Sequence, residues 1–430
     1  MRDDRRARRR ASTGGPPVDP TAWRRLAACT AAAAVLQIDG TLITVALPRA
    51  GHALGMGVHF QGLVLAVYFL AYALTLWPGG RLVDAIGSRQ VALAGLSLFA
   101  VGAALGALAP SAGLLVGSRV IQGLGAGLVS PAALAGAVAG FPPERRGMAL
   151  GVWGAGSGMA NLAGPLLGGA LTVLLGWRAD WWALVPLALL SATAIWLLIP
   201  AGLAAHEGGG GRVPRSPVIA AATLVAALAF AVMIGSFFIA EQYLQDSAGY
   251  SPLGAAAALL VVALLVGVAA PLAGRLSDAR GERLPAVTGF VLAGIGLAVL
   301  GIPGIPLHGL APLPLLIPVG IGLGLLFAPT SRAALNAAPG ASHGRVSALL
   351  SAGRLIGAGV GAGLAGLALG GGVTAGRVHE VLLGAAAVCL LVGVPAAMRL
   401  VRPGAAGSGV RGEAGQGAAA AEPVEPVHAG

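Results

Sequence analysis

The chain is poor in charge. Only 10% of its 430 residues are Asp, Glu, Lys or Arg, against about 25% in an ordinary soluble domain, and that shortage excludes a soluble globular protein. Lysine is missing altogether, and all 27 basic residues are arginine; we read this as the codon bias of a high-G+C bacterial genome rather than as chemistry. The two cysteines, Cys29 and Cys389, stand alone in apolar runs, so neither a disulfide framework nor a metal cluster is indicated. The short segments of alternating polarity that build a transmembrane barrel are also lacking. No nucleophile–base–orienter set, metal cluster or phosphate loop is found, which argues against an enzyme.

What is there is 57% hydrophobic sequence, gathered into runs of roughly 18 to 25 residues, long enough to cross a hydrocarbon core of about 30 Å as helices. Twelve spans are expected, at about 26–48, 59–79, 90–110, 114–139, 147–173, 181–203, 217–240, 252–273, 284–303, 310–330, 346–370 and 379–400. The net charge of +11 invites a nucleic-acid reading, but its distribution points to topology and no nucleic-acid partner is expected. With the N-terminus placed in the cytoplasm, the tails and the even-to-odd connections carry 22 of the 27 arginines. Arg49, Arg178 and Arg377 fall on the other side, and Arg119 and Arg354 lie within spans. This asymmetry is the positive-inside pattern, and it puts both termini in the cytoplasm.

The expected fold is an all-α polytopic membrane protein of two six-helix bundles with pseudo-twofold symmetry. Residues 1–25, with eight arginines, read as a disordered basic tail; 26–203 as the N-terminal bundle; 204–216, "AAHEGGGGRVPRS", as a cytoplasmic linker; 217–402 as the C-terminal bundle; and 403–430 as a second disordered tail. No signal peptide is expected, because the first apolar run contains Asp39 and lacks a cleavage site. "LAAC" at 26–29 resembles a lipoprotein box, but no hydrophobic region precedes it.

The halves share a repeat. "GRLVDAIGSR" at 80–89 returns as "GRLSDARGER" at 274–283, with Gly95 and Gly289 continuing the register. A weaker likeness relates the fourth and tenth spans: Gly123, Gly125, Gly127 and Pro131 against Gly320, Gly322, Gly324 and Pro329. Parallel repeats of this kind mark transporters whose site lies between the repeats near the bilayer midplane.

The segment at 80–89 resembles the signature between the second and third helices of the major facilitator superfamily. "LQIDGTLITVALP" (36–48) is similar to the first-helix motif of its proton-driven multidrug exporters, with Thr44 where Asn is usual. "RVIQGLGAG" (119–127) resembles the fourth-helix motif, "GPLLGG" (164–169) the core of the fifth-helix antiporter motif, and "LQDSAGYSPLGAA" (244–256) the start of the second bundle of the same exporters. Two departures stand out. The exporter group resembled usually has fourteen helices, and Ala160 replaces the second glycine of the fifth-helix motif, although Gly151 is in place.

Asp39 lies near the middle of the first span. A carboxylate at that depth costs about 2.5–3.5 kcal/mol on insertion scales and is usually functional. The resemblance associates it with cation recognition or proton coupling; an aspartate bonded permanently to a neighbouring helix is the alternative. Arg119, with Gln122 one turn on, stays protonated, and the resemblance implies that its field sets a carboxylate's proton affinity; otherwise it snorkels to the near membrane surface. Arg354 and Glu241 complete the candidate coupling set. Glu241 either faces an outer vestibule, where it attracts cations or joins a proton path, or caps a solvated helix end beside Asp246.

The glycine runs "GLGAG" (123–127) and "GAGSG" (154–158) follow no strand, so they are not phosphate loops. Small residues four apart, such as Gly123/Gly127, Gly164/Gly168 and Gly353/Gly357/Gly361, allow close helix packing instead. Pro165 permits a bend within Gly164–Gly169, giving either a hinge or static packing. In the repeated segment, Gly80, Arg81, Asp84, Gly87 and Arg89 correspond to Gly274, Arg275, Asp278, Gly281 and Arg283. Each aspartate is placed to pair with a neighbouring arginine or to cap a helix, and Gly87 and Gly281 allow a tight reversal. The resemblance implies a latch that holds the bundles together on the cytoplasmic face; a loop that only sets topology is the alternative.

The expected activity is therefore proton-coupled export of small amphipathic or cationic compounds by a monomer in the bacterial cytoplasmic membrane, with no cofactor or metal. A facilitator or symporter of one metabolite, and a non-transporting sensor or scaffold, are the alternatives.

Overall fold

The computed structural model describes residues 19–142, 145–202, 214–309, 311–339 and 342–400. The two expected tails and most of the linker lie outside these residues, apart from the stretch before residue 26. There the expectation of disorder is corrected: Asp19 accepts the Thr21 amide at 2.8 Å and caps a helix that starts at Pro20, with proline in its first turn, where a missing N–H costs nothing.

Among the described residues, twelve helices are long and apolar enough to span a membrane. We label them α1 (Pro20–Leu54), α2 (Val58–Ile86), α3 (Ser88–Ala107), α4 (Ala112–Val138), α5 (Arg146–Leu175), α6 (Arg178–Leu198), α7 (Pro217–Ser247), α8 (Pro252–Arg280), α9 (Arg283–Leu300), α10 (Pro314–Asn336), α11 (His343–Ala368) and α12 (Ala375–Met398). Hydrocarbon offers no partner for a free N–H or C=O, so each span closes its own hydrogen bonds as a helix. Leu74, Met159, Leu174, Leu190, Val268 and Leu391 stand well exposed, an apolar belt that fits lipid rather than water.

The helices outrun the apolar stretches. Gly80 to Ile86 is the last part of α2, Gly274 to Arg280 the last part of α8, and the reversals shrink to Gly87 (φ 89°) and Gly281 (φ 77°). The repeated segment is thus a pair of helix ends rather than a pair of loops. Its aspartates also do not pair as expected. Asp84 is exposed and has no partner among the described residues, while Arg81 lies over the Trp77 ring and Arg89 over Trp196. Asp278 pairs with Arg332 of α10, whose guanidinium also lies 3.7 Å from Glu282.

Small residues set the packing. A Cβ on Gly123 would lie 2.4 Å from the Tyr68 carbonyl oxygen, and one on Gly320 would lie 3.1 Å from that of Val262. Gly127 and Gly324 face the carbonyls of Tyr72 and Val266 in the same way. The weak sequence likeness of α4 and α10 therefore corresponds to one helix-crossing geometry built twice. Between halves, α2 packs on α11 and α5 on α8, two contacts that exchange when the halves are exchanged. Within the second half, Gly357 and Gly361 of α11 abut the carbonyls of Ala227 and Ala231, where a Cβ would lie at 2.0 and 2.1 Å.

Gly357→Leu is expected to cost at least about 1–3 kcal/mol through overpacking, lowering the thermal unfolding midpoint in detergent. Gly151→Leu, at a position with nothing within 4 Å, is expected to leave it unchanged. Equal midpoints for the two variants would contradict the packing described.

Candidate functional site

The charge placed deepest in the first half is paired. Asp39 on α1 and Arg119 on α4 are both fully buried, and Arg119 Nη1 donates to Asp39 Oδ1 at 2.6 Å and to Gln122 Oε1 at 3.0 Å. The guanidinium carbon lies 4.1 Å from the centroid of the Tyr68 ring on α2, a cation–π contact. Tyr68 in turn donates its hydroxyl to the Leu36 carbonyl at 3.3 Å. Arg119 therefore does not snorkel. It reaches inward and ties α1, α2 and α4 together.

The cluster is only partly satisfied. Asp39 Oδ2, Arg119 Nε and Nη2, and Gln122 Nε2 are buried without hydrogen-bond partners. Two opposite charges in hydrocarbon attract strongly, yet each pays several kcal/mol to leave water, and unfilled lone pairs and protons are not repaid.

A second polar cluster seals the Arg-poor end of the molecule. Gln242 of α7 donates to Gln61 of α2 at 2.7 Å, and Gln245 donates to the Val45 carbonyl of α1 and to Glu241 Oε2, both at 2.9 Å. His52 and Asp246 form an ion pair at 2.9 Å. All but the bond from Gln245 to Glu241 cross between the halves. Glu241 is 2% exposed, so it is neither a solvated helix end nor a group open to a vestibule. Of the fifth-helix glycines described, Gly169 reaches the other half. Gly164 and Gly168 rest on Thr41 and Leu42 of α1, whereas Gly169 rests on Leu253 of α8, where a Cβ would lie 2.7 Å from the Cα atom. Through Pro165, α5 stays one continuous helix.

Arg354 stands apart from both clusters. It donates to Ser331 Oγ at 2.8 Å and lies 5.8 Å from the Phe230 ring centroid, all within the second half. The structure thus brings Asp39, Arg119 and Gln122 together, and places Glu241, Arg354 and the two helix-end segments elsewhere.

Asp180 escaped the sequence reading. It is fully buried, accepts from Thr172 Oγ1 at 2.6 Å through Oδ2, and leaves Oδ1 unpaired. Its span was expected to begin at residue 181, which left Asp180 in a solvated connection; α6 instead begins at Arg178. An acid in the first turn is a helix-start signal, and Asp180 holds that place in α6. Gln61 and Gln242 were also missed, since a lone glutamine at the end of an apolar run gives no sign of a partner in the other half.

The sequence profile of the Major Facilitator Superfamily matches residues 29–362. The chain is 30% identical over 419 residues to the puromycin resistance protein pur8 of Streptomyces alboniger, covering 82% of each chain. It is 27% identical over 389 residues to the multidrug resistance protein Stp of Mycobacterium tuberculosis (strain CDC 1551 / Oshkosh), covering 75% of this chain and 71% of the relative. In fold it is similar to a bacterial homolog of the human lysosomal transporter Spinster, solved in an inward-facing and occupied conformation, with a TM-score of 0.72 at 20% identity over 89% of this chain and 95% of that one.

Arg119→Ala leaves Asp39 buried and unpaired, and is expected to cost about 3–5 kcal/mol. The double variant Asp39→Asn/Arg119→Gln is expected to recover most of that loss in thermal unfolding of the detergent-solubilised protein. A single variant as stable as wild type would contradict the pairing. Gly169→Trp is expected to hold α5 away from α8. In a background lacking Cys29 and Cys389, the distance between spin labels at Arg49→Cys and Ser251→Cys should lengthen; an unchanged distance would show that this contact does not seal the end.

Proposed function

The chain belongs to the major facilitator superfamily, and from that membership we propose that this multi-pass transporter exports small amphipathic or cationic compounds in exchange for protons. The observation that carries the reading is the buried, incompletely satisfied cluster of Asp39, Arg119 and Gln122. The resistance proteins it resembles support export of toxic compounds as the direction. The arginine distribution supports a cytoplasmic Arg-rich end and a bacterial cytoplasmic membrane, and one chain supplies both halves of the path, so a monomer suffices.

In this mechanism Asp39 carries the exchangeable proton. Ionised, it holds Arg119 and ties α1 to α4. Protonated, it no longer balances the guanidinium, which turns to its remaining acceptors, Gln122 Oε1 and the Tyr68 face. The α1–α4 tie loosens, and α1 moves with the outer cluster to which Val45 belongs. Arg119 cannot give up its own proton, so its charge is the fixed reference against which Asp39 titrates. Substrate and proton compete for one charge balance, and that competition couples their movements. With the Arg-poor end sealed as described, the path leads to the Arg-rich side, where the proton leaves and the compound enters. The helix-end segments at 80–89 and 274–283 close that side in the opposite state.

Purified protein in liposomes with an imposed pH gradient tests this reading. Drug-induced proton release is expected for some members of a panel of cationic and neutral drugs in wild type, and none in Asp39→Asn. Labelled drug moving only down its own gradient, equally in both proteins, would replace antiport with facilitated diffusion.

A further inference from the structure

The second half contains a cavity of about 100 Å³ between α7, α8, α9, α10 and the start of α12. Its walls include Met233 and Ser236 of α7, Val262 of α8, and Leu316 and Val319 of α10. Its polar edge lies at His308 and Tyr250, where the Tyr250 hydroxyl accepts the Gly309 amide at 2.9 Å.

The position of this cavity gives it meaning. The glycine contacts that pair Gly123 with Tyr68 and Gly320 with Val262 put α2 in register with α8, and α4 with α10. In that register Tyr68 corresponds to Val262, Arg119 to Leu316 and Gln122 to Val319. The helix opposite them is α7, the counterpart of the helix that carries Asp39, and it contributes Met233 and Ser236. The cavity is therefore the second half's copy of the buried ionic cluster, with its charged and aromatic members replaced by shorter aliphatic ones. Arginine, glutamine and tyrosine fill the first site, whereas leucine and two valines leave the second unfilled.

We propose that this cavity is a binding site for one small, uncharged, lipophilic group of about the size of a benzene ring. An apolar cavity of this order stays dry and takes a benzene-sized guest, because empty space forfeits dispersion contacts that a guest restores. The walls are mostly apolar, with Phe237 and Tyr243 beside the aliphatic side chains, and disfavour a charged guest. The site is separate from the proton-coupling cluster and does not rest on antiport.

The test is methyl NMR of the intact protein in lipid nanodiscs, labelled at its six methionines, with toluene and acetophenone as probes. Met233 lines the cavity, and Met159, 72% exposed on the lipid-facing surface, reports simple partition into lipid. Toluene is expected to shift the Met233 signal saturably and Met159 only in proportion to concentration. Leu316→Trp and Val319→Phe, which fill the cavity, should abolish the Met233 response while leaving Met56 and Met398 unmoved as reporters of intact fold. Acetophenone, of similar size, is expected to shift the same signal saturably. A Met233 response that never saturates, or one that survives in both filled variants, would overturn the site.

Discussion

Hydrocarbon supplies no hydrogen-bond partners, and that constraint shapes this protein at every level. It forces each crossing segment into a helix. It also removes the hydrophobic drive between helices, so association rests on close contact and polar ties. The glycines of α4, α5, α10 and α11 provide the close contacts, several with a neighbouring carbonyl where a side chain would stand. Among the described residues the polar ties include an ionic cluster inside the first half, a glutamine-rich cluster between the halves, and the Arg332–Asp278–Glu282 and Arg354–Ser331 contacts of the second half. Where so few polar groups are buried, each incompletely satisfied one carries weight, and the cluster around Asp39 holds the most of them.

The two halves show the same scaffold put to different ends. Equivalent glycines lay α4 on α2 and α10 on α8 in one geometry. What differs is the content of the space those helices enclose. In the first half a carboxylate, a guanidinium, an amide and a phenol fill it. In the second half mostly apolar side chains line it and leave it partly empty. A duplicated fold can thus keep its packing while only one copy carries the charge chemistry.

Much of this was legible in the sequence. The twelve spans follow from the apolar runs, and the internal repeat follows from "GRLVDAIGSR" and "GRLSDARGER". Asp39, Arg119 and Gln122 stand out because charge and amide groups within a membrane span are costly. What the sequence did not reveal has physical reasons. Hydropathy marks where hydrocarbon ends, not where a helix ends, so it does not show that α2 and α8 run on through the repeated segment or that α6 starts before Asp180. The partner of a polar side chain is set by packing across the halves, which hid the bond between Gln61 and Gln242. The apolar cavity gave no local signal, since leucine and valine are ordinary in any span; only the symmetry of the fold singles them out.

The central claim is that Asp39 changes its protonation when substrate binds. Infrared difference spectroscopy on the lipid-reconstituted protein, recorded on adding puromycin as the probe, reads this directly in the carbonyl stretch of a protonated carboxyl group. The account predicts a substrate-induced carboxyl band in wild type that disappears in Asp39→Asn. An identical carboxyl band in both proteins, with puromycin bound to each, would contradict it.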